Sequence, residues 1–219
     1  MEPVRKIGTS HRSLRAFHPS DKNKRLIQLE SALERDFCCL LEFEVEITSY
    51  VEQPVTVEYL VAEHSRHYTP DFLIRYLDER PAVLAEIKYR ADLRENWAEY
   101  KPKFRAAQRY AASRGWVFRL YTEVEIQNCY LDNVKFLLRF RSFHQPPPAA
   151  FAQRLLQVLA QQGESTPAAL LALASEEVAR QAELIPTLWQ LVGKGMIGCN
   201  LLRPLTMNSP VWHLTDSDS

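Results

Sequence analysis

Apolar residues recur every three to four positions between Arg25 and Phe43. Leu29, Leu33 and Phe37 would share one face of a helix with this spacing. No Gly or Pro interrupts the stretch. The pattern therefore predicts a first helix from Arg25 to Phe43.

Three short segments rich in β-branched, aromatic and aliphatic residues follow this helix. They are separated by Pro54, by Pro70 and by the turn sequence at 78–81, which are typical strand boundaries. The last two segments are close enough in sequence to form a hairpin. The predicted strands are Val55–Val61, Tyr68–Tyr76 and Ala82–Lys88.

A longer helix is predicted over Asn96–Ser113, because the apolar spacing holds until just before Gly115. A compact apolar strand, Trp116–Tyr121, follows directly, and a further helix is predicted over Tyr130–Phe140. The resulting order of elements predicts an α/β unit with a mixed central sheet and flanking helices.

The last third of the chain carries three helix signals and then two apolar segments. Phe151–Gln162 is amphipathic, Thr166 precedes Pro167 as a typical cap and first helical residue, and Ser175 is placed to cap a third helix ending near Val192. Two strands are predicted at 193–202 and 210–214. Three helices followed by a hairpin predict a small winged-helix α+β domain.

Three consecutive prolines at positions 146–148 favour a stiff, extended spacer. We therefore expect a first domain at 1–143, a Pro-rich linker at 144–150 and a second domain at 151–219. By formal charge the part before the linker is weakly basic and the part after it is weakly acidic, and the whole chain is neutral.

Composition narrows the class of protein. The hydrophobic fraction of 46% and the charged fraction of 25% are those of an ordinary globular protein. No apolar run approaches the roughly 20 residues that span a bilayer, and the basic, polar start lacks the features of a secretory signal. We expect a bacterial cytoplasmic protein.

The four cysteines form no C-x-x-C pair, which argues against a zinc site or a disulfide framework.

A basic strip runs from residue 88 to residue 119, where nine Lys or Arg residues stand against three acids. Such a strip suits a phosphate backbone, although a solvated helix face has the same composition. Lys101, Lys103 and Arg105 are the predicted DNA contacts. The aromatic residues interleaved with this strip have the spacing of a core-facing stripe; they are Trp97, Tyr100, Phe104 and Tyr110.

Three residues on the predicted hairpin form a candidate catalytic constellation. Glu86 and Lys88 are two positions apart on one strand and so project from the same face, and Asp71 on the neighbouring strand lies within reach of Glu86. Two carboxylates beside a lysine suit Mg²⁺-assisted phosphodiester hydrolysis. The alternative is that Asp71 is a turn residue and that Glu86 and Lys88 form an exposed ion pair.

Glu34 on the first predicted helix is a candidate third carboxylate, and Glu30, one turn earlier, is its rival. His64, His67 and Tyr68 precede Asp71, but we leave them outside the site because loop histidines are more often solvated than bound to a metal ion.

Four motifs in this order resemble the N-terminal domain of TnsA, the endonuclease subunit of heteromeric cut-and-paste transposons, including CRISPR-associated ones. They are Ser31-Ala32-Leu33-Glu34-Arg35-Asp36-Phe37, Glu52-Gln53-Pro54, Tyr68-Thr69-Pro70-Asp71-Phe72 and Glu86-Ile87-Lys88. The resemblance implies a restriction-endonuclease-like fold for the first domain. It also implies catalytic roles for Glu34, Asp71, Glu86 and Lys88, with the three acids binding Mg²⁺ or, in its place, Mn²⁺.

Some members of that family carry Gln where this chain has Glu86, a difference that adds a negative charge and should preserve metal binding. The resemblance further implies cleavage of the 5′ ends of a transposon in double-stranded DNA. A DDE transposase (TnsB-like) would cut the 3′ ends, and an AAA+ ATPase (TnsC-like) would regulate both. The winged helix would then dock a partner. A stand-alone restriction or resolvase-type nuclease and a catalytically silent adaptor remain the alternatives.

Overall fold

The computed structural model describes residues 16–141 and 148–214. Its internal contacts divide the chain into two compact units, residues 1–127 and residues 128–219. The first unit contains a mixed sheet with helices, and the second contains four helices and a small sheet in its described part. We describe each unit separately.

The first unit begins with an antiparallel hairpin of strands β1 (Ala16–Ser20) and β2 (Arg25–Leu29). The predicted helix from Arg25 is therefore wrong over its first turns. Ile27 and Leu29 are fully buried while Leu26 is 61% exposed, which is the alternation of a strand with one buried face. Leu29 matches both the strand and the helix spacing, and pairing with β1 decides between them.

Helix α1 (Ala32–Phe43) begins after Ser31, which caps it. The backbone N–H of Glu34 donates to Ser31 Oγ (3.1 Å), and Ser31 Oγ–H donates in return to Glu34 Oε1 (2.8 Å). The spacing Ser31-x-x-Glu34 is a helix-start signal that is visible in the sequence. It places Glu34 in the first turn of α1 and Glu30 before the helix, so the prediction that Glu30 lies on this helix is wrong.

Six strands and three helices follow α1 in the described part of the first unit. Four of the strands form one sheet in the order β3-β6-β7-β8, whereas β4 and β5 form a separate antiparallel hairpin. The elements are β3 (Ile47–Glu52), β4 (Val57–Val61), β5 (His64–Tyr68), β6 (Phe72–Tyr76), β7 (Val83–Ile87), α2 (Arg90–Glu95), α3 (Trp97–Ser113), β8 (Val117–Tyr121) and α4 (Glu123–Ile126).

Strand β6 pairs antiparallel with β3 and with β7, and β8 pairs parallel with β7. The predicted hairpin is confirmed in β6 and β7, but the segment predicted as one strand, Tyr68–Tyr76, is two strands. Thr69, Pro70 and Asp71 separate them, because proline cannot donate a hydrogen bond to a sheet. The mixed sheet with helices confirms the predicted α/β class and is consistent with a restriction-endonuclease-like fold.

Strand β7 is the buried centre of this unit. All five of its residues are buried, as expected for a strand between two others and covered on its faces. Helix α3 packs on the sheet through Phe104, Ala107 and Ala111, in one cluster with Leu73 and Leu84. The helix predicted over Asn96–Ser113 is confirmed, because α3 begins one residue later, at Trp97, and ends at Ser113.

The described part of the second unit consists of four helices and a three-stranded antiparallel sheet in the order β10-β11-β9. Strand β9, which follows the second helix of this unit, was not predicted from the sequence. The elements are α5 (Cys129–Arg141), α6 (Ala149–Gln162), β9 (Glu164–Ser165), α7 (Pro167–Ala174), α8 (Val178–Gly193), β10 (Ile197–Cys199) and β11 (Val211–His213).

Two capping predictions in this unit have different outcomes. Thr166 caps α7 as predicted, because its Oγ1 accepts a hydrogen bond from the N–H of Ala169 (3.2 Å). Ser175 does not cap α8. Its Oγ accepts from the N–H of Glu177 (3.2 Å), and the helix begins only at Val178.

Helix α5 belongs to the second unit, although the sequence placed it in the first domain. Phe136 on α5 packs against Trp189 on α8 with ring centroids 5.1 Å apart, and Asn133 Nδ2 donates to the carbonyl of Leu201 (2.8 Å). The structure therefore divides the chain before α5 rather than at 143. Positions 144–147 of the predicted linker lie outside the described residues, and its last two residues belong to α6.

Candidate active site

Asp71 and Glu86 lie side by side where β6 begins and β7 ends. Phe72 pairs with Ala85 in the antiparallel register, so Asp71 stands opposite the segment that contains Glu86. The backbone N–H of Ile87 donates to Asp71 Oδ2 at 2.7 Å. This bond fixes one carboxylate oxygen of Asp71 against β7.

Lys88 connects the two acids. Its Nζ lies 2.9 Å from Glu86 Oε1 and 3.7 Å from Asp71 Oδ2, and it donates to the carbonyl of Ile87 at 3.0 Å. The side chains of Glu86, Asp71 and Lys88 are 2%, 16% and 24% exposed. The predicted exposed ion pair is therefore excluded, and the expectation that Glu86 and Lys88 share one face is confirmed.

Tyr68 belongs to the site, contrary to the prediction that left it outside. Its hydroxyl donates to Glu86 Oε2 at 2.5 Å, and its side chain is buried. Both oxygens of Glu86 thus have a donor, Lys88 for one and Tyr68 for the other. The sequence signal for Tyr68 was its position at the end of an otherwise exposed strand, three residues before Asp71. By contrast, His64 and His67 are exposed.

Glu34 is half-buried at the start of α1. Its Oε2 accepts from the backbone N–H of Glu30 at 3.0 Å, in addition to the bond from Ser31. Burial, followed by the negative charge of Asp71, raises the pKa of Glu34 to about 7. Glu34 is therefore close enough to respond to the charge of Asp71.

Gln53 links Glu30 to the strand that begins after Asp71. Its Nε2 donates to Glu30 Oε1 (3.1 Å), and its backbone N–H donates to the carbonyl of Asp71 (2.8 Å). Gln53 has a left-handed φ of 45°, a conformation that is uncommon for residues other than glycine. The Glu52-Gln53-Pro54 motif thus contributes a backbone contact beside the site.

The acids of the site share too much negative charge for all of them to ionise easily. Burial, and then the charge of Glu86, raises the pKa of Asp71 to about 7, although Lys88 partly offsets this effect. Burial alone would lower the pKa of Lys88, but Asp71 and Glu86 raise it above its ordinary value. Lys88 therefore stays protonated at neutral pH.

The donor set fits a hard divalent cation in its chemistry. Glu34, Asp71 and Glu86 bring three carboxylates, and oxygen atoms are the ligands that Mg²⁺ prefers. Within residues 16–141 and 148–214, no three His, Cys, Asp or Glu side chains are grouped closely enough to hold a metal ion. In this arrangement the Lys88 ammonium supplies the positive charge between the acids.

The three predicted DNA contacts divide into two groups. Lys103 Nζ lies 4.0 Å from the centre of the Tyr100 ring and 5.2 Å from that of Tyr68, and is therefore next to the active site. Burial lowers the pKa of Lys103, which nevertheless feels the charges of the site acids. Lys101 and Arg105 are exposed and line a different surface of α3.

The raised pKa of Asp71 predicts a specific dependence of stability on pH in the absence of metal. A carboxyl group whose pKa rises from 3.8 to about 7 on folding binds its proton more tightly when folded, so stability falls as the pH rises between these values. Asp71→Asn removes this loss. We expect urea denaturation to show the variant gaining stability relative to wild type between pH 5 and pH 8.

Asp78→Asn is the matched control for that experiment, because hydrogen bonds and an ion pair with Arg80 lower the pKa of Asp78 below its ordinary value, in the direction opposite to Asp71. Its stability relative to wild type should stay constant over the same range. A constant difference for Asp71→Asn would contradict the assigned burial and charge of Asp71.

None of the helices within residues 16–141 and 148–214 is long and apolar enough to cross a membrane. No curated protein matched the chain in a sequence comparison. A comparison with protein families, however, matches residues 44–123 to the family described as TnsA-like endonuclease N terminal. The match begins just after α1 and includes Asp71, Glu86 and Lys88, whereas Glu34 precedes it. Residues 44–123 of this chain are therefore similar to the N-terminal endonuclease domain of TnsA-like proteins.

Proposed function

We propose that this protein is a Mg²⁺-dependent endonuclease that cleaves the 5′ ends of a transposon. A TnsA-like domain supports a nuclease of Tn7-type transposition. The observation that carries the finer proposal is the group formed by buried Glu86 with partly buried Asp71 and Lys88, at the meeting point of β6 and β7. Buried charges are costly unless they are paired or bind a ligand, so this arrangement suggests a site rather than a surface feature.

Asp71 and Glu86 would hold the cation, with Glu34 as the third acid. A bound divalent cation would neutralise charge on the phosphate and lower the pKa of an attacking water. Mn²⁺ offers the same oxygen chemistry and should substitute. Because the Lys88 ammonium lies between Asp71 and Glu86 in this structure, metal and lysine would compete for the same oxygens.

The residues around the acids have distinct roles in this proposal. The Ile87 N–H and the Tyr68 hydroxyl orient Asp71 and Glu86, since each donates to a carboxylate oxygen. Lys88 keeps its proton and carries the positive charge that a phosphate would meet. Lys103, beside Tyr68, would add a second positive charge for the DNA backbone.

A second function has one observation in its favour. The absence of a three-donor metal group in the described part of the chain fits a catalytically silent adaptor between transposase and regulator. The raised pKa values of Glu34 and Asp71 favour the enzyme instead, because a purely structural site has no need of clustered, mutually repelling acids.

The partners of the proposal are double-stranded DNA at the transposon ends, a DDE transposase that is TnsB-like and an AAA+ regulator that is TnsC-like. The second unit is proposed as a winged helix that docks a partner. From α6 onward its order is helix, strand, two helices and two strands, which supports this assignment, and Arg180 on α8 is paired with Glu183 at 2.6 Å. A DNA-reading helix would present unpaired cations. Membership of a CRISPR-associated system and a cytoplasmic location stay predictions.

Replacing Asp71 with Ala tests the catalytic assignment. We expect 5′-strand cleavage of transposon ends, measured with both partners present in Mg²⁺ and mapped on each strand, to fall by at least about a hundredfold. Cleavage of the 3′ strand should persist, because the transposase performs it.

Asp78→Ala is the control, since Asp78 is an exposed acid on the turn between β6 and β7. It should cut as wild type does. Unchanged 5′ cutting by Asp71→Ala would show that the active site lies elsewhere. Strong cleavage by the purified chain without partners would favour the stand-alone nuclease.

Tyr68→Phe removes one hydroxyl and leaves the ring in place. Glu86 then loses its Oε2 donor, so we expect the affinity for Mn²⁺, measured by calorimetry, to fall about tenfold to a hundredfold. Tyr110→Phe, on the far part of α3, should leave this affinity unchanged. An equal effect of the two variants would mean that Tyr68 is only a packing residue.

A further inference from the structure

Trp97 is an exposed aromatic residue at the start of α3. The sequence placed it in a core-facing stripe with Phe104, which is buried as predicted, but Trp97 is 46% exposed. The two rings lie 6.2 Å apart, so Phe104 supports one part of the indole while another part meets solvent. Trp97 therefore presents part of a large apolar ring to solvent, while Phe104 packs beside it.

Trp97 lines two hollows of the surface. The first, of about 390 Å³, lies between α3 and β8, the strand at one edge of the sheet. Its floor is apolar, with Phe104, Phe118 and Leu120, and Lys101 and Arg105 stand at its rim. Sites for small organic groups have volumes of this order.

The second hollow, of about 430 Å³, is formed by Leu93, Trp97 and two cations, Arg90 and Arg94. The Arg90 guanidinium also lies 3.4 Å from Glu125 and is partly neutralised by it. Arg94 on this side of Trp97, and Lys101 and Arg105 on the other, leave the indole between positive charges. The residues that line the two hollows include no carboxylate.

We propose that Trp97 stacks against an unpaired base of a DNA strand, whose phosphates on either side are held by Arg94 and by Lys101 with Arg105. Aromatic rings flanked by cations bind single strands, because every base has a face for stacking and every nucleotide carries a phosphate. A paired base within a duplex has both faces covered. The site would therefore select a frayed or displaced end.

The position of Trp97 in the chain connects this site with the proposed cleavage. Helix α2 starts two residues after Lys88, and a single residue, Asn96, separates the end of α2 from Trp97. Lys101 and Arg105 are four residues apart and lie on one side of α3, whereas Lys103 projects elsewhere, over the rings of Tyr100 and Tyr68. One helix thus carries a cation at the active site and the base-stacking surface. This inference rests on the proposed function for its substrate, DNA.

The test is binding of a short single-stranded oligonucleotide with one 2-aminopurine, and of the same sequence as a duplex, to the full chain in EDTA. Trp97→Ala should weaken single-strand binding about tenfold and change duplex binding less than twofold. The quenching of 2-aminopurine fluorescence on binding should disappear. Trp97→Phe, which retains a ring, should restore most of the binding and the quenching.

Tyr89→Ala is the matched control. Tyr89 is 43% exposed, close in sequence, and lines neither hollow. It should bind both DNAs as wild type does, and thermal melting should show that the Trp97 variants are folded.

Three results would overturn the proposal. The first is that Trp97→Ala weakens binding of single strand and duplex equally, and the second is that it changes neither. The third is that it loses transposase binding while DNA binding stays intact, which would assign the hollows to a protein partner. EDTA prevents metal-dependent cleavage, so this measurement reads DNA binding without the catalytic step. Failure of the catalytic proposal would therefore leave this result in place.

Discussion

The first unit depends on one partly buried electrostatic arrangement, in which the Lys88 ammonium lies between the carboxylates of Glu86 and Asp71. Glu86 is the last but one residue of a strand that is buried throughout, and an ionised carboxylate there requires compensation. The Tyr68 hydroxyl donates to Glu86, and the Ile87 N–H donates to Asp71. Strands β5, β6 and β7 must therefore meet in one register for the charges to be satisfied.

The same arrangement explains why the site suits chemistry better than stability. Glu34 and Asp71 have pKa values raised to about 7, so each is destabilising when ionised at neutral pH. A divalent cation would relieve the repulsion among the acids. The phosphate of a substrate would bring negative charge, which Lys88 would attract. Helix α3 adds positive charge beside the site. It places Lys103 next to Tyr68, and it places Lys101 one turn after Trp97.

Local patterns in the sequence predicted the centre of the site, and long-range pairing determined the rest. The apolar run before Glu86-Ile87-Lys88 indicated a buried strand, and period-two geometry placed Glu86 beside Lys88. The strand β2 was mistaken for helix because Leu29 fits both spacings, and only its pairing with β1 resolves them. The role of Tyr68 was missed because its hydrogen bond to Glu86 joins residues 18 positions apart. The exposure of Trp97 was missed because helical spacing does not show which residues of an aromatic stripe the sheet covers.

The central claim is that Asp71 and Glu86 bind a divalent cation at a position next to Lys88. The most direct measurement is a crystal structure of the chain grown in Mn²⁺, with an anomalous difference map at the manganese absorption edge. We predict a peak within about 2.3 Å of oxygens of both carboxylates, with Lys88 Nζ moved away from the point between them. A map with no peak at these acids at saturating Mn²⁺, and with the Lys88 bridge intact, would contradict the account.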